Sequence, residues 1–536
     1  MAAGTTCSDR LLSARCMSSS GCGRPRQIRS PRNDDHGGRL GLGSLLRGAW
    51  GVAPLACVAA GALFPLAFSP HGFWPLALAS LLILHAALHG RSRGRALTLC
   101  FLFALGKYAV GAYWIFVSLN DYAGLPTAIA AVWFCAFLVL ACGVFSLAAL
   151  FAVSTRYALL DALVFATGIF VVELATSIPW AMSFPWLHVG YAAIDTPLSF
   201  YAPLGGVWAV GFAAAFSAVA LAQACKGIWI PLVVAAAFWC PGLLSPNHPP
   251  VGDERFTVAA VQGNVPLEDK WHQGAAALLD RYLQLSEVVE DADVVVWPES
   301  ALPVDVRLIQ GMVPDEVREL DGRLVFGGFE EGRIQAVPVT FNVAAAYENG
   351  AVTVFRKERL VPFAEYVPLP GLVDEILRPV GYPMAELTPS SGRQEPLRLG
   401  GRTLAVAICY EVAYPTIMHR RARGADLIVV LSEDSWLGDT TGPWQHAQIA
   451  RMRALELGRY LVRATNDGVS AIIDPRGDIM EKLPRYESAV ATATITSSRS
   501  ETLFGRFGLL PMIAVVVLVA AGDWLVKIRD KRKRGT

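Results

Sequence analysis

Charge is what this chain has least of. Only 17% of its 536 residues are Asp, Glu, Lys or Arg, against roughly a quarter in soluble domains. The formal net charge is +1, so no overall field favours nucleic acid as a partner. A disulfide framework is also missing. Of ten cysteines, Cys7, Cys16 and Cys22 lie in the N-terminal stretch, and Cys57, Cys100, Cys135, Cys142, Cys225 and Cys240 lie in apolar segments, where cysteine acts as a small hydrophobe. There is no Cys-x-x-Cys pair, and no two histidines are expected to share a helical face at ligand spacing. No metal and no cofactor are therefore expected.

Hydrophobic residues are in excess: 54% of the chain, with a mean hydropathy of +0.42. Residues 1–46 are rich in Ser, Gly and Arg and read as a disordered basic tail. Seven apolar runs follow, near 49–68, 74–89, 96–119, 124–153, 157–178, 204–224 and 227–244. An eighth runs from Leu509 to Val526. Each approaches the ~20 residues needed to cross hydrocarbon, the second and seventh being short. The predicted organisation is a seven-span region over 47–250, a polar domain over 251–500, an eighth span over 501–526 and a basic tail over 527–536.

Positive charge orients these spans. Arg91, Arg93 and Arg95 follow span two, Arg156 follows span four and Lys226 follows span six. Lys527, Arg529, Lys531, Arg532, Lys533 and Arg534 close the chain. The alternate loops, Ser69–Phe73, Asn120–Pro126 and Ile178–Gly205, contain neither Lys nor Arg. Every basic loop gives the same orientation, with both termini cytoplasmic and the polar domain outside the cytoplasm. Lys107 and Glu173 fall within or near spans and read as snorkelling side chains or an internal pair.

From Phe256 the texture becomes β-rich runs alternating with amphipathic stretches. Strands are predicted at Phe256–Val261, Asp293–Trp297, Arg323–Gly327, Val339–Tyr347, Ala351–Phe355, Thr403–Ile408, Leu427–Leu431, Val462–Ala464 and Val469–Ile473. Helices are predicted at Gln273–Val289 and Pro443–Tyr460. This is a layered α/β pattern. Three of the strands end on chemistry-bearing residues. Asp293–Trp297 runs into Pro298 and Glu299, Ala351–Phe355 into Arg356 and Lys357, and Thr403–Ile408 into Cys409.

Each residue alone has an ordinary explanation: buried filler for a free Cys, a helix cap for Glu299, a solvated cluster for Lys357. Yet Cys409 is the single cysteine of a stretch of about 250 residues, and Tyr410 and Glu411 follow it. A thiol, a carboxylate and an ammonium, each where a strand stops, are the parts of a covalent acyl-transfer site.

Trp297-Pro-Glu-Ser-Ala301, Lys357 with Leu360-Val-Pro-Phe-Ala-Glu365, and Ile408-Cys-Tyr-Glu411 resemble the Glu–Lys–Cys set of the nitrilase superfamily. Together with Val261-Gln-Gly-Asn264, Phe184-Pro-Trp-Leu187, Gly442-Pro-Trp-Gln-His446 and Arg451-Met-Arg-Ala-Leu-Glu-Leu457, they resemble the apolipoprotein N-acyltransferases over about 49–526. The resemblance implies a nitrilase-like αββα sandwich inserted between the seventh and eighth helices of an eight-helix transmembrane bundle. It implies a bacterial inner-membrane enzyme with its domain in the periplasm. That enzyme moves an acyl chain from a phospholipid donor to the N-terminal cysteine amine of a diacylated apolipoprotein, and a monomer is expected. The alternative is a membrane-tethered amidase of the same superfamily.

The resemblance gives Glu299, Lys357 and Cys409 the catalytic roles and makes Glu365, Glu411 and Tyr410 supporting residues. Trp271, Trp436 and Trp444 are candidates for the acyl path, and the apolar, proline-rich Leu360–Tyr382 stretch for a loop dipping toward lipid. Three departures stand out: Ala364 where the family has Gly, Glu433-Asp434-Ser435 where it has Asn-Asp-Ala, and no Arg after Glu173.

Overall fold

A computed structural model describes residues 52–151, 157–179, 183–244, 254–308, 317, 319–367, 371, 386–497 and 501–534. The tail expected at 1–46, Arg156 and most of the Leu360–Tyr382 loop beyond Val367 lie outside the described residues.

The apolar runs form α1 (Val52–Leu63), α2 (Pro75–Leu88), α3 (Arg93–Gly111), α4 (Thr127–Ser146), α5 (Ala158–Ser177), α6 (Ala202–Ala224) and α7 (Ile230–Leu244). With few polar side chains, these helices pack by close backbone approach. A Cβ on Gly61 of α1 would sit 1.9 Å from the Phe103 carbonyl oxygen, and one on Gly106 of α3 would sit 2.1 Å from that of Val58. Only glycine permits that crossing.

Among the described residues, four helical segments are long and apolar enough to cross a membrane: Thr127–Phe151, Ala158–Ser177, Pro197–Ala224 and Leu510–Lys533. A fifth is bent, with Arg93–Gly111 and Trp114–Tyr122 meeting at 51°. Val52–Ala67, Pro75–Leu88 and Ile230–Leu244 are shorter apolar helices.

Two expectations about polar residues in this half are settled by geometry. Lys107 does not snorkel. It is 1% exposed, with its ammonium 4.8 to 5.1 Å from the ring centroids of Phe64, Tyr108 and Phe145. Glu173 is also internal and accepts a bond from the Val189 N–H at 2.6 Å. The expectation about histidine spacing is wrong. His85, in the last turn of α2, and His89, which caps that helix, are four residues apart with ring centroids 6.2 Å from each other. One helix end therefore does present two imidazoles together.

Among the described residues, the polar domain forms two six-stranded sheets. The first has the order β12-β1-β2-β3-β4-β5, with β1 (Arg255–Gln262), β2 (Val294–Val296), β3 (Leu324–Ile334), β4 (Val337–Glu348), β5 (Ala351–Arg356) and β12 (Ala489–Thr496). The second has the order β11-β10-β9-β8-β7-β6, with β6 (Leu397–Leu399), β7 (Arg402–Ile408), β8 (Leu427–Ser432), β9 (Leu461–Thr465), β10 (Ala471–Ile473) and β11 (Ile479–Lys482). β1-β2-β3 and β7-β8-β9 are parallel runs; the outer pairings are antiparallel.

Val258, Val296, Val325, Val406, Ile408 and Val429 fill the space between the sheets. The outer face of the first sheet (Ala259, Val295) is covered by Leu278 and Tyr282 of α9 (Ala275–Glu287), which follows the short α8 (Leu267–His272). The outer face of the second sheet (Ala405, Ala407, Ile428, Val430) is covered by α10 (Pro415–Arg421) and α11 (Gly442–Leu457). Helices and sheets thus stack in the order αββα, and strands buried on both faces read as continuous apolar runs. The core around α11 is continuous with that of the apolar helices, through residues such as Trp186, Tyr191 and Phe216. The chain then ends in α12 (Leu510–Arg534).

Candidate active site

The three strand ends converge. β2 is parallel to its neighbours, and Pro298 breaks it, turning Glu299 inward to 5% exposure. Gly327 of β3 lets this turn sit close, since a Cβ there would lie 2.4 Å from the Pro298 carbonyl oxygen and 2.6 Å from the Glu299 Cα. Lys357 follows β5 directly and is 1% exposed. Its ammonium donates to Glu299 Oε1 at 2.9 Å and to Glu365 Oε1 at 2.8 Å.

Cys409 follows β7 directly, with φ at +52°. A non-glycine residue pays about 1–3 kcal/mol to hold such a conformation, and does so only where its surroundings fix it. Here Glu411 is fully buried and fixes the turn. Glu411 Oε2 accepts from the Ile408 N–H at 3.0 Å, while Oε1 accepts from the N–H groups of Glu358 and Arg359 at 2.8 and 3.2 Å. Arg421 donates to both oxygens, at 2.7 and 2.8 Å. Glu411 thus ties the turn carrying Cys409 to the residues just after Lys357.

The electrostatics follow from burial and charge. Burial alone would lower the Lys357 ammonium, but Glu299, Glu365 and the Cys409 thiol outweigh it and hold it well above the ordinary lysine range. Burial pushes the Cys409 thiol up, as do Glu299 and Asp434; Lys357 and a bond with Ser432 pull it down, and burial wins. The Glu365 carboxyl is also raised, by burial first and by Glu299, against the opposing pull of Lys357. For Glu411 burial is outweighed by Arg421 and the backbone donors, and its carboxyl is held below the usual range.

Several neighbours were not singled out from the sequence. The Asn342 amide, on β4, donates to Glu299 Oε1 at 2.8 Å and to Glu365 Oε1 at 2.9 Å. The Glu433 N–H donates to Glu299 Oε2 at 2.9 Å. The Glu433 side chain pairs with Lys270, whose ammonium also donates to the Glu299 carbonyl at 3.2 Å. Below Cys409, His446 Nε2 lies 3.2 Å from the Cys409 carbonyl oxygen, which only an N–H can approach favourably. His446 Nδ1 lies 3.0 Å from Asp434, which Arg463 also holds at 2.5 Å. One sequence signal was available for Asn342: a lone amide in the apolar run Phe341–Ala346.

The remaining predicted residues are more scattered. The Tyr410 hydroxyl donates to the Ser183 carbonyl at 3.0 Å, and its ring stacks on Trp186 at 6.2 Å. Trp271 is 58% exposed and follows Lys270 in α8. The Trp436 carbonyl accepts from Ser118 at 2.6 Å, and Lys482 lies 5.4 Å over the Trp444 ring. Phe363, at the start of the apolar loop, packs against Trp133 of α4 with centroids 4.8 Å apart.

Residues 257–503 match a family model described as carbon-nitrogen hydrolase, and residues 60–220 match one described as the apolipoprotein N-acyltransferase N-terminal domain. Among curated proteins, the apolipoprotein N-acyltransferase of Azotobacter vinelandii is 36% identical over 513 residues, covering 89% of this chain and 96% of that protein. That of Pseudomonas aeruginosa is 33% identical over 492 residues, with 87% and 95% covered, and that of Vibrio cholerae is 34% identical over 496, with 88% and 96% covered. Similarity at this level spans both the apolar helices and the αββα sandwich, and with it the chain belongs to the apolipoprotein N-acyltransferase family.

Proposed function

We propose that the chain moves a fatty acyl group from a membrane phospholipid, through a thioester on Cys409, to the N-terminal cysteine amine of a diacylated apolipoprotein. The observation that carries this reading is the Lys357 ammonium, held by two buried carboxylates within the field of a thiol at a strained strand end.

Donor counting assigns the roles. A carboxylate has about four acceptor positions and an ammonium three donors. Glu299 spends three positions on Lys357, Asn342 and the Glu433 N–H, leaving one on Oε2 for the thiol proton. Lys357 spends two donors on Glu299 and Glu365, leaving one for an oxyanion.

In the first half-reaction Glu299 takes the proton from Cys409 and the sulfur attacks the ester carbonyl. The bond to the glycerol oxygen breaks, Glu299 gives that oxygen the proton, and lysophospholipid leaves. Because burial raises the thiol, a free thiolate is disfavoured at rest, and deprotonation is coupled to the attack. Lys357 carries the charge of the tetrahedral intermediate, a contribution on the order of 10²–10³ in rate for one donor. In the second half-reaction the amine attacks the thioester, Glu299 accepts its proton, and the thiol is restored. Glu365 and Glu411 position Lys357 and the turn of Cys409. Trp271, Trp436 and Trp444 contact the lipid chains, a reading supported by the exposure of Trp271.

The same proposal sets the chain in a bacterial inner membrane as a monomer. It has eight spans, the sandwich enters between the seventh and eighth, the catalytic face is periplasmic and both termini are cytoplasmic. The alternation of basic loops with loops that contain neither Lys nor Arg supports this orientation.

The test is mass spectrometry of purified protein incubated with labelled phospholipid and no acceptor. An acyl adduct on Cys409, absent in Cys409→Ala, is expected. Product formed from added acceptor by an intact enzyme that never carries the adduct would refute the two-step scheme. Release of free fatty acid without transfer to acceptor would favour the amidase alternative.

A further inference from the structure

At the ends of α2, α5 and α6 remote in sequence from the thiol, four polar side chains meet that the acyl-transfer chemistry does not use. His85 is 4% exposed and lies in the last turn of α2, with His89 capping that helix. Asp161 is 7% exposed, in the first turn of α5. Gln223, 3% exposed, is one residue from the end of α6. His85 Nε2 lies 2.9 Å from Asp161 Oδ2, and Gln223 Nε2 donates to the same oxygen at 3.1 Å and to the Ala158 carbonyl at 2.9 Å.

We propose that His85, His89 and Asp161, with the Gln223 amide oxygen at hand, form a site for a borderline divalent ion of the zinc class. His85, His89 and Asp161 each bring one ligand atom within 4.8 Å of the others. Ligands at ~2.0–2.1 Å around a tetrahedral ion stand roughly 3.3 Å apart, so the His85–Asp161 pair opens by only a few tenths of an ångström to admit one. Two imidazoles and a carboxylate are a donor set that suits zinc or cobalt over magnesium or calcium. The second, independent observation is a buried polar atom without a hydrogen-bond partner beside the carboxylate, Gln223 Oε1, whose amide nitrogen already donates to Asp161. On a residue this buried, such an atom is costly unless something binds there. The C-terminal ends of α2 and α6 add negative dipole toward the ion. A bound ion ties three helix ends together with no covalent link and no part in the acyl chemistry, so it acts as a structural clamp.

The experiment uses the full chain without a polyhistidine tag, in detergent, as Cys409→Ala. That variant removes the thiol from the other grouping of this kind among the described residues, Cys409 with Asp434 and His446. Titration with Co²⁺ should give the visible absorption of a tetrahedral centre saturating at one equivalent. Zn²⁺ should displace it, and either ion should raise the melting temperature. His89→Gln, at a half-buried position, should weaken Co²⁺ binding by more than the roughly 10–100-fold that an outer partner costs, and Asp161→Asn should abolish it. In the Cys409-containing chain, His89→Gln should retain acyl transfer, which confirms that the variant folds. Absence of stoichiometric cobalt absorption, or an unchanged spectrum and melting shift in folded His89→Gln, overturns the site.

Discussion

Glu411→Gln isolates the residue that joins the two halves of the site. Glu411 is fully buried and accepts five bonds, two of them from Arg421, whose side chain is 6% exposed. The substitution leaves the Arg421 guanidinium in the interior with only Glu358 as an acidic partner. It also turns an amide N–H₂ toward one or more backbone N–H groups. Breaking one side of a buried pair costs about 3–5 kcal/mol. For a domain of this size each kcal/mol shifts the midpoint by roughly 2–4 °C, so the sandwich should melt about 6–20 °C lower.

The pH dependence has a definite sign. The folded carboxyl of Glu411 is held below its ordinary value, ~4.3 in an unfolded chain. Its contribution is therefore complete above about pH 4.3 and is lost as pH falls through the folded value. The melting gap between the parent and Glu411→Gln should be full at pH 7 and should close only on strong acidification. Because Glu411 holds the N–H groups of Glu358 and Arg359, Lys357 should also drift, and misplacement of about 1 Å costs on the order of 10² in rate. Differential scanning fluorimetry and an acyl-transfer assay on the same preparation read both effects. Replacing both partners, Glu411→Leu with Arg421→Met, should cost less than the two single changes summed. A Glu411→Gln protein that melts within about 2 °C of the parent at pH 7 would refute the clamp.

Other outcomes follow from the same geometry. Asn342→Leu removes the neutral donor between Glu299 and Glu365 and should raise the acid limb of the pH–rate profile, because two carboxylates then face each other over one ammonium; an unmoved limb argues against the bridge. Glu299→Gln removes an anion that raises the Cys409 thiol, so alkylation of Cys409 by a small neutral reagent should begin at lower pH even as transfer is lost, and a shift to higher pH would reverse the assignment. Glu433→Asn keeps a backbone N–H on Glu299 but strips Lys270 of its buried partner. It should lower stability by about 3 kcal/mol, and Lys270→Met should recover part of that loss in the double variant.

The strand ends were legible because three apolar runs of β length each stop at a functional group. Most bounds moved by a few residues, as for the helix expected over Gln273–Val289, which is Ala275–Glu287; the strand expected at Arg323–Gly327 instead runs on to Ile334. Strands β6, β11 and β12 are not legible in the sequence, for physical reasons. β6 has three residues, β11 is exposed throughout, and β12 alternates Ala with Thr at an edge, so none carries the apolar signal of a doubly buried strand. Lys270 and Arg463 carry no site signal in the sequence, Asn342 offers only a lone amide in an apolar run, and Glu433, Asp434 and His446 stand there only in strings that the resemblance picks out, because their partners are distant in sequence. Asn342 reaches Glu299 across 43 residues and Lys270 reaches Glu433 across 163. The histidine pair of α2 is a different case: its spacing is local, but the run around it reads as a membrane span, in which isolated polar residues carry little signal.

The way the sandwich rests on the apolar helices explains why the thiol sits on the second sheet. The turn after Cys409 sends Tyr410 to the Ser183 carbonyl and Tyr414 to the Ser183 hydroxyl at 2.9 Å. The helix beneath it, α11, places Gln445 against the Trp186 indole at 2.7 Å and Gln448 against the Tyr191 carbonyl at 3.0 Å. Trp186 in turn packs on both Tyr410 and His446. Lys357 is on the first sheet, yet the next residues reach the same region, with Arg359 donating to the Pro179 carbonyl at 3.2 Å. The residues that dock the domain are therefore sequence neighbours of those that hold the thiol and the ammonium. Loosening the docking face should disturb the site geometry before it unfolds the sandwich, since the tether and the nucleophile share one turn. A soluble enzyme built on the same two sheets needs none of these contacts; a site that meets its substrate at a lipid surface does.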